Sequence, residues 1–239
     1  MAVTLDKATL GTVNSAGDSG TVVLTTTAAV SSNAFIVLGV MAYEGTTTLS
    51  SVSGGGLTWS VDKTQIAGTS AIGLGIASAQ APSGLASSTA ITFTFSDAAG
   101  GPRVAGGFSL FGVKTTSPLD GTPPASVRTT TAAWATNSMT VEAGSVLVAL
   151  QFAENTDTSN TPTSPALQAW ELLVPAGPFS MRMDYDVRSS AGSASIAGTM
   201  GAASVAGNIV VAYLAAEEIP PVTNEAALRA AHTPVTWRT

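Results

Sequence analysis

The sequence predicts an all-β protein, an antiparallel sandwich of two sheets built from two similar halves and followed by a short helical tail. Three observations carry this reading. Short apolar segments separated by Gly- and Pro-rich turns run through most of the 239 residues. An internal repeat preserves its order across the two halves. Before residue 219 no segment carries the 3.6-residue apolar stripe of a surface helix.

Taken in chain order, the candidate strands are 21–25, 35–42, 72–77, 91–95, 104–113, 138–141, 145–152, 181–187, 193–200 and 208–214. Segment 91–95 alternates apolar residues with Thr, as a half-buried strand does. Turns are marked by Ser53-Gly54-Gly55-Gly56, Gly100-Gly101-Pro102 and Thr122-Pro123-Pro124. Glu217-Glu218-Ile219-Pro220-Pro221 ends the last strand as a stiff extended link. Thr223 or Asn224 can cap a helix over 225–232, which Thr233-Pro234 stops.

The repeat sets 36–44 against 146–154, then Leu57-Thr58-Trp59 against Gln168-Ala169-Trp170. It ends with Val104-Ala105-Gly106-Gly107-Phe108 against Val205-Ala206-Gly207-Asn208-Ile209. The halves span about 10–113 and 128–216, and together make a β-sandwich over 1–218, with a docking tail over 219–239. Two arrangements fit: two small sandwiches, or one jelly-roll-like sandwich whose halves close on each other. The second is expected, because neither half shows the polar alternating faces of a free-standing unit.

Composition narrows the function classes. The chain has no cysteine, so disulfides and thiolate metal sites are excluded. Apolar residues make up an ordinary 45%, but charged ones only 10%, against about 25% in typical soluble domains. Thr, Ser, Ala and Gly replace them, as suits a β protein that sits against neighbours without charge steering. A net charge of −6 and a pI near 4.6 argue against a phosphate-tracking nucleic-acid binder. The longest apolar runs, such as 35–42 and 209–216, are about eight residues, far short of a membrane-spanning helix. The N-terminus lacks the basic start and apolar block of a signal peptide, so synthesis in a cytoplasm without export by that route is expected.

A strand like 35–40, the Ser50–Trp59 stretch with its Gly-Gly-Leu-Thr-Trp turn, segment 91–95, a closing strand and Ser117-Pro118-Leu119-Asp120 form one further pattern. It resembles a family of Gly/Thr/Ser-rich jelly-roll-like sandwiches of phage minor virion proteins (tail or decoration) and bacterial secreted proteins. The resemblance covers about residues 10–216. It implies adhesion or structure and supplies no catalytic residue.

Few residues invite chemistry. Gly17-Asp18-Ser19-Gly20 matches the string around a serine-protease nucleophile, but that chemistry needs a histidine base, and the one histidine is His232. The string is therefore read as a polar turn. Asp184 and Asp186, two apart in a strand, share a face. With Arg182 and Arg188 beside them, they are expected to form a neutralised surface ladder, contact with a cation or sugar being the alternative. Trp59 and Trp170 are read as plugs of the sandwich core, with ligand contact as the alternative. Leu228, Val235 and Trp237 give the tail an apolar side that would dock on a partner. No cofactor, metal or catalytic group is assigned.

The expected function is a non-enzymatic virion component of a bacteriophage: a minor tail, fibre-associated or capsid decoration subunit. Its partners would be other virion proteins, copies of itself and host-surface carbohydrate, with neither nucleic acid nor membrane. The alternative is a carbohydrate-binding or adhesion module of a bacterial extracellular protein.

Overall fold

The computed structural model describes residues 2–15, 20–43, 47–67, 72–98, 101–154, 161–163, 166–174, 179–201 and 205–217; of residues 67, 170 and 172–174 it gives the backbone alone. Among the described residues the chain is all-β, its paired strands antiparallel, with no helix. The expected helix at 225–232, like the rest of the tail, lies outside them.

The first half contains β1 (Thr4–Lys7), β2 (Thr12–Ser15), β3 (Thr21–Thr25), β4 (Ala34–Ala42), β5 (Leu49–Gly54), β6 (Ser60–Ala67), β7 (Ile72–Ala81), β8 (Ala90–Phe95) and β9 (Arg103–Phe111). Its large sheet has the order β1-β9-β4-β7-β6, with β2 also on β9, and its small sheet the order β3-β8-β5. The second half contains β10 (Val127–Thr129), β11 (Ala133–Ala135), β12 (Met139–Val141), β13 (Val146–Ala153), β14 (Thr161–Pro162), β15 (Leu167–Val174), β16 (Phe179–Val187), β17 (Gly192–Ala194), β18 (Ala197–Thr199) and β19 (Ala206–Tyr213). Here the large sheet runs β10-β19-β13-β16-β15, and the small sheet is broken into β11-β18-β14 and β12-β17. The second half thus repeats the first half's strand order, with the counterparts of β3 and β8 each broken in two and that of β1 reduced to the bridge between Leu119 and Tyr213.

Three cores hold these sheets. One, built on Leu24, Ile36, Leu38, Phe93 and Ala77, lies between the large and small sheets of the first half. Its counterpart in the second half is built on Trp134, Leu147, Ala149, Ile196 and Val210. The third joins the two large sheets, with Val37, Met41, Ile76 and Phe108 facing Val148, Leu150, Met183 and Val211. The layers therefore run small, large, large, small. Central strands such as β4 and β13 are buried along their whole length, which explains their near-continuous apolar runs, broken in β13 only by Gln151. At Gly39 the large sheets come so close that a Cβ would stand 2.7 Å from the Met183 sulfur and 2.8 Å from a Leu150 methyl.

The sandwich reading holds, but the expected two sheets are four layers. The halves do close on each other, yet each also carries a small sheet and a core of its own. The sequence match of 36–44 with 146–154 also needs correcting. Gly106 and Gly207 are equivalent by the Val-Ala-Gly echo, and their ladder partners are Gly39 and Phe152. The sequence match instead paired residues of opposite faces, because a strand apolar on both faces carries no alternation to fix its register. The turn at Gly54-Gly55-Gly56 stands as expected, with φ of +117°, +67° and +67°.

The joint between the halves is hydrogen-bonded into the second half. Val113 bridges Ala215 and Leu119 bridges Tyr213. Asp120 accepts from the Glu142 N–H at 2.7 Å and from the Ser145 hydroxyl at 2.6 Å, tying the joint to the turn before β13. Asp6 does the same in the first half, accepting from the N–H and hydroxyl of Ser31 and from Ser109. Leu5, Asp6 and Ser31 recur as Leu119, Asp120 and Ser145, each pair 114 residues apart. This echo marks a repeat that starts earlier than residue 10.

Candidate functional site

Among the described residues, those singled out in the sequence do not converge. Gly17, Asp18, Ser19 and His232 lie outside the described residues, as do Leu228, Val235 and Trp237. Trp59 is half-buried just before β6, packs on the first-half core and donates Nε1–H to the Gly54 carbonyl at 3.0 Å. Trp170 falls inside β15, opposite Met183 and past a bulge, so its backbone position differs from that of Trp59; its side chain lies outside the described set.

Asp184 and Asp186 share a face of β16 and are paired as expected, but that face is buried. Asp184 is 0% exposed and Asp186 4%, which corrects the surface-ladder reading. Spacing shows that residues share a face, not whether a second layer covers it; here the small sheet does. Arg182, itself buried, forks onto Asp184 at 2.9 and 2.5 Å, and Arg188 meets Asp186 at 2.6 Å. Burial pushes the Asp184 carboxyl above its ordinary range, against the pull of Arg182. Across the sheet, Arg182 continues a polar row: Asn208 opposes Gln151, Gln151 opposes Arg182 and Arg182 opposes Glu171. Neither side-chain polar atom of Asn208 has a hydrogen-bond partner, although the residue is fully buried.

An open site lies elsewhere, at one end of the seam between the halves. Ser60 and Ser78 oppose each other across β6 and β7. Beside them Asp62, on β6, accepts the Tyr213 hydroxyl of β19 at 2.7 Å, a bond from one half to the other. Tyr213 is fully buried and stacks edge-on against Phe35, with ring centroids 4.9 Å apart. Burial raises the Asp62 pKa, partly countered by the nearby hydroxyls of Ser78, Tyr213 and Ser60. Burial and the Asp62 charge raise the Tyr213 phenol well above its ordinary value. Oδ1 of Asp62 is buried with no partner at hydrogen-bond geometry.

Next to this pair is a cleft of about 420 Å³. Phe35, Leu57, Ala79, Pro82 and Pro118 supply its carbon surface, and Thr58, Ser60, Ser78, Gln80 and Thr115 its polar groups. Among the described residues no charged side chain lines it. Gln80 donates Nε2–H to the Asn33 carbonyl at 3.0 Å, which leaves its Oε1 buried and without a partner. The signals for this cleft are scattered over residues 35–118, so sequence spacing offered no way to assemble it. Among the described residues, no group of three or more His, Asp or Glu is placed to hold a metal ion.

No protein-family model, no curated protein and no solved structure matches this chain.

Proposed function

We propose that this chain is a non-enzymatic structural component of a bacteriophage virion, a minor tail, fibre-associated or capsid decoration subunit that works by presenting its outer faces. One observation carries the reading. The small sheets are the outermost layers, and their eight strands, β3, β5, β8, β11, β12, β14, β17 and β18, contain no charged residue. The outward side of β3 presents Thr21, Val23 and Thr25, with Val23 45% exposed. Such faces lie against neighbours through shape and hydroxyl contacts and need no charge steering. Copies of the same chain and other virion proteins are the partners that fit them.

Each half is read as a jelly-roll variant. The orders β2-β9-β4-β7 and β3-β8-β5 support this, with β6 moved from the small sheet onto β7. The tail from Ile219 completes the proposal as a docking arm, since a helix of about eight residues does not persist unaided. The test is deletion of residues 219–239. The truncated chain should keep its β-sheet circular dichroism and fail to incorporate into particles; normal incorporation contradicts the arm. A second reading, a carbohydrate-binding module of a bacterial extracellular protein, is favoured by the seam cleft. Co-purification with virions separates the two.

A further inference from the structure

The seam cleft is a saccharide-binding site, we infer, one that takes an uncharged, hydroxyl-rich sugar unit by its donor groups. The hydrogen-bonding state of the lining carries this. Gln80 has its amide N–H committed to Asn33 and its Oε1 free. Behind the opposed Ser60 and Ser78 hydroxyls stands Asp62, whose carboxylate is engaged by the Tyr213 hydroxyl and by those of Ser60 and Ser78. A buried acceptor without a donor, as at Gln80, is costly. A ligand that brings O–H groups removes the cost, whereas one that brings only acceptors does not.

The rest of the lining fixes the class. Phe35, Leu57, Ala79, Pro82 and Pro118 offer a carbon surface that suits the C–H face of a pyranose ring. A volume near 420 Å³ falls within the usual range for small-ligand sites, which combine apolar walls with a few placed polar groups. Among the described residues no Lys or Arg lines the cleft to hold a phosphate or carboxylate. The Asp62 charge is already met by the Tyr213 hydroxyl, so an ammonium group is not required. Trp59 takes no part, since its indole packs on the first-half core and its N–H is used by Gly54. The inference does not depend on where the protein is carried. A virion subunit and an extracellular module would both use it.

Methyl-resonance titration of the full chain tests it, with methyl glucoside, N-acetylglucosamine and cellobiose as probes and ethylammonium chloride as the cationic control. At tens of millimolar at least one saccharide should shift the Leu57 and Ala79 methyls and leave those of the outer sheets unmoved. Gln80→Leu should weaken that binding about tenfold, the loss of one hydrogen bond, with other spectral changes confined to the surroundings of Asn33, whose carbonyl loses the Gln80 amide. Thr115→Trp, a change at an exposed position on the cleft's rim, should abolish it without lowering Tm. The site is overturned if no saccharide shifts those methyls, if shifts fall elsewhere, or if ethylammonium binds as well as the sugars. It is overturned too if Gln80→Leu binds undiminished. If deleting residues 219–239 alone moves the same methyls, the cleft belongs to the chain's own tail and not to a sugar. Virion co-purification is read separately, so either proposal can fail without the other.

Discussion

Equivalent strands of the two halves carry opposite chemistry at the same place. In the first half the row across the large sheet is Gly107, Leu38, Ala77 and Val61. In the second it is Asn208, Gln151, Arg182 and Glu171. Both rows face a small sheet, and the topology around them is the same. Strand order is therefore set by which faces are covered, and it tolerates an apolar row or a polar one beneath the cover. The cost differs. An apolar row needs only to be filled, whereas a buried charge needs its partner.

Arg182→Leu should give the largest effect. It strands the Asp184 carboxylate, and losing one member of a buried pair costs about 3–5 kcal/mol, read as a lower urea midpoint. Arg182→Leu with Asp184→Leu should recover most of that loss, making the second half resemble the first. A double variant as unstable as the single one would show that the row is not interchangeable.

Exchanging residues between the rows comes next. Gly107→Asn places a side chain against Leu38, whose methyl already occupies that space, and should cost about 1–3 kcal/mol. The reciprocal Asn208→Gly removes two unpartnered polar atoms and should cost less. Equal losses in the two variants would mean that the rows are packed alike.

Acid should act on Asp6 and Asp184 with opposite sign, the smallest of these effects. Burial raises the Asp6 pKa, but hydrogen bonds from Lys7, Ser31 and Ser109 outweigh it and bring the pKa to about 2 from an ordinary 3.8. Asp6 therefore contributes stability above about pH 4 that is lost as the pH falls toward 2. Asp184, raised by burial, binds its proton more readily folded than unfolded, so acidification toward pH 3.8 favours its folded state. Carboxyl 13C titration should show Asp6 titrating well below Asp184; coincident titrations would contradict this.

What the sequence revealed follows the same division between exposed and covered faces. Alternation was plain in β8, which has one face on a core, and β8 was placed to within a residue. β4, β13 and β19 were found by their apolar runs, but their register was not, since both faces are buried. β6 and β15 escaped because Ser60, Asp62, Lys63 and Gln65, or Gln168 and Glu171, interrupt any apolar pattern. Those polar residues build the seam site and the polar row. The Leu-Asp echo at residues 5–6 and 119–120 was readable as a repeat, though its role needed the Ser31 and Ser145 partners. The cleft depends on Gln80 and Ser78 meeting Thr115 and Pro118, a juxtaposition that only the fold supplies.

The account rests on two sandwiches fused through their large sheets, and the Asp62–Tyr213 bond tests that fusion most directly. A double-mutant cycle with Asp62→Ala and Tyr213→Phe, read by urea denaturation, measures the coupling between residues of different halves. A hydrogen bond to a charged group in this setting should couple them by about 1.5–3 kcal/mol. Coupling within about 0.3 kcal/mol of zero would mean that the halves do not dock as described.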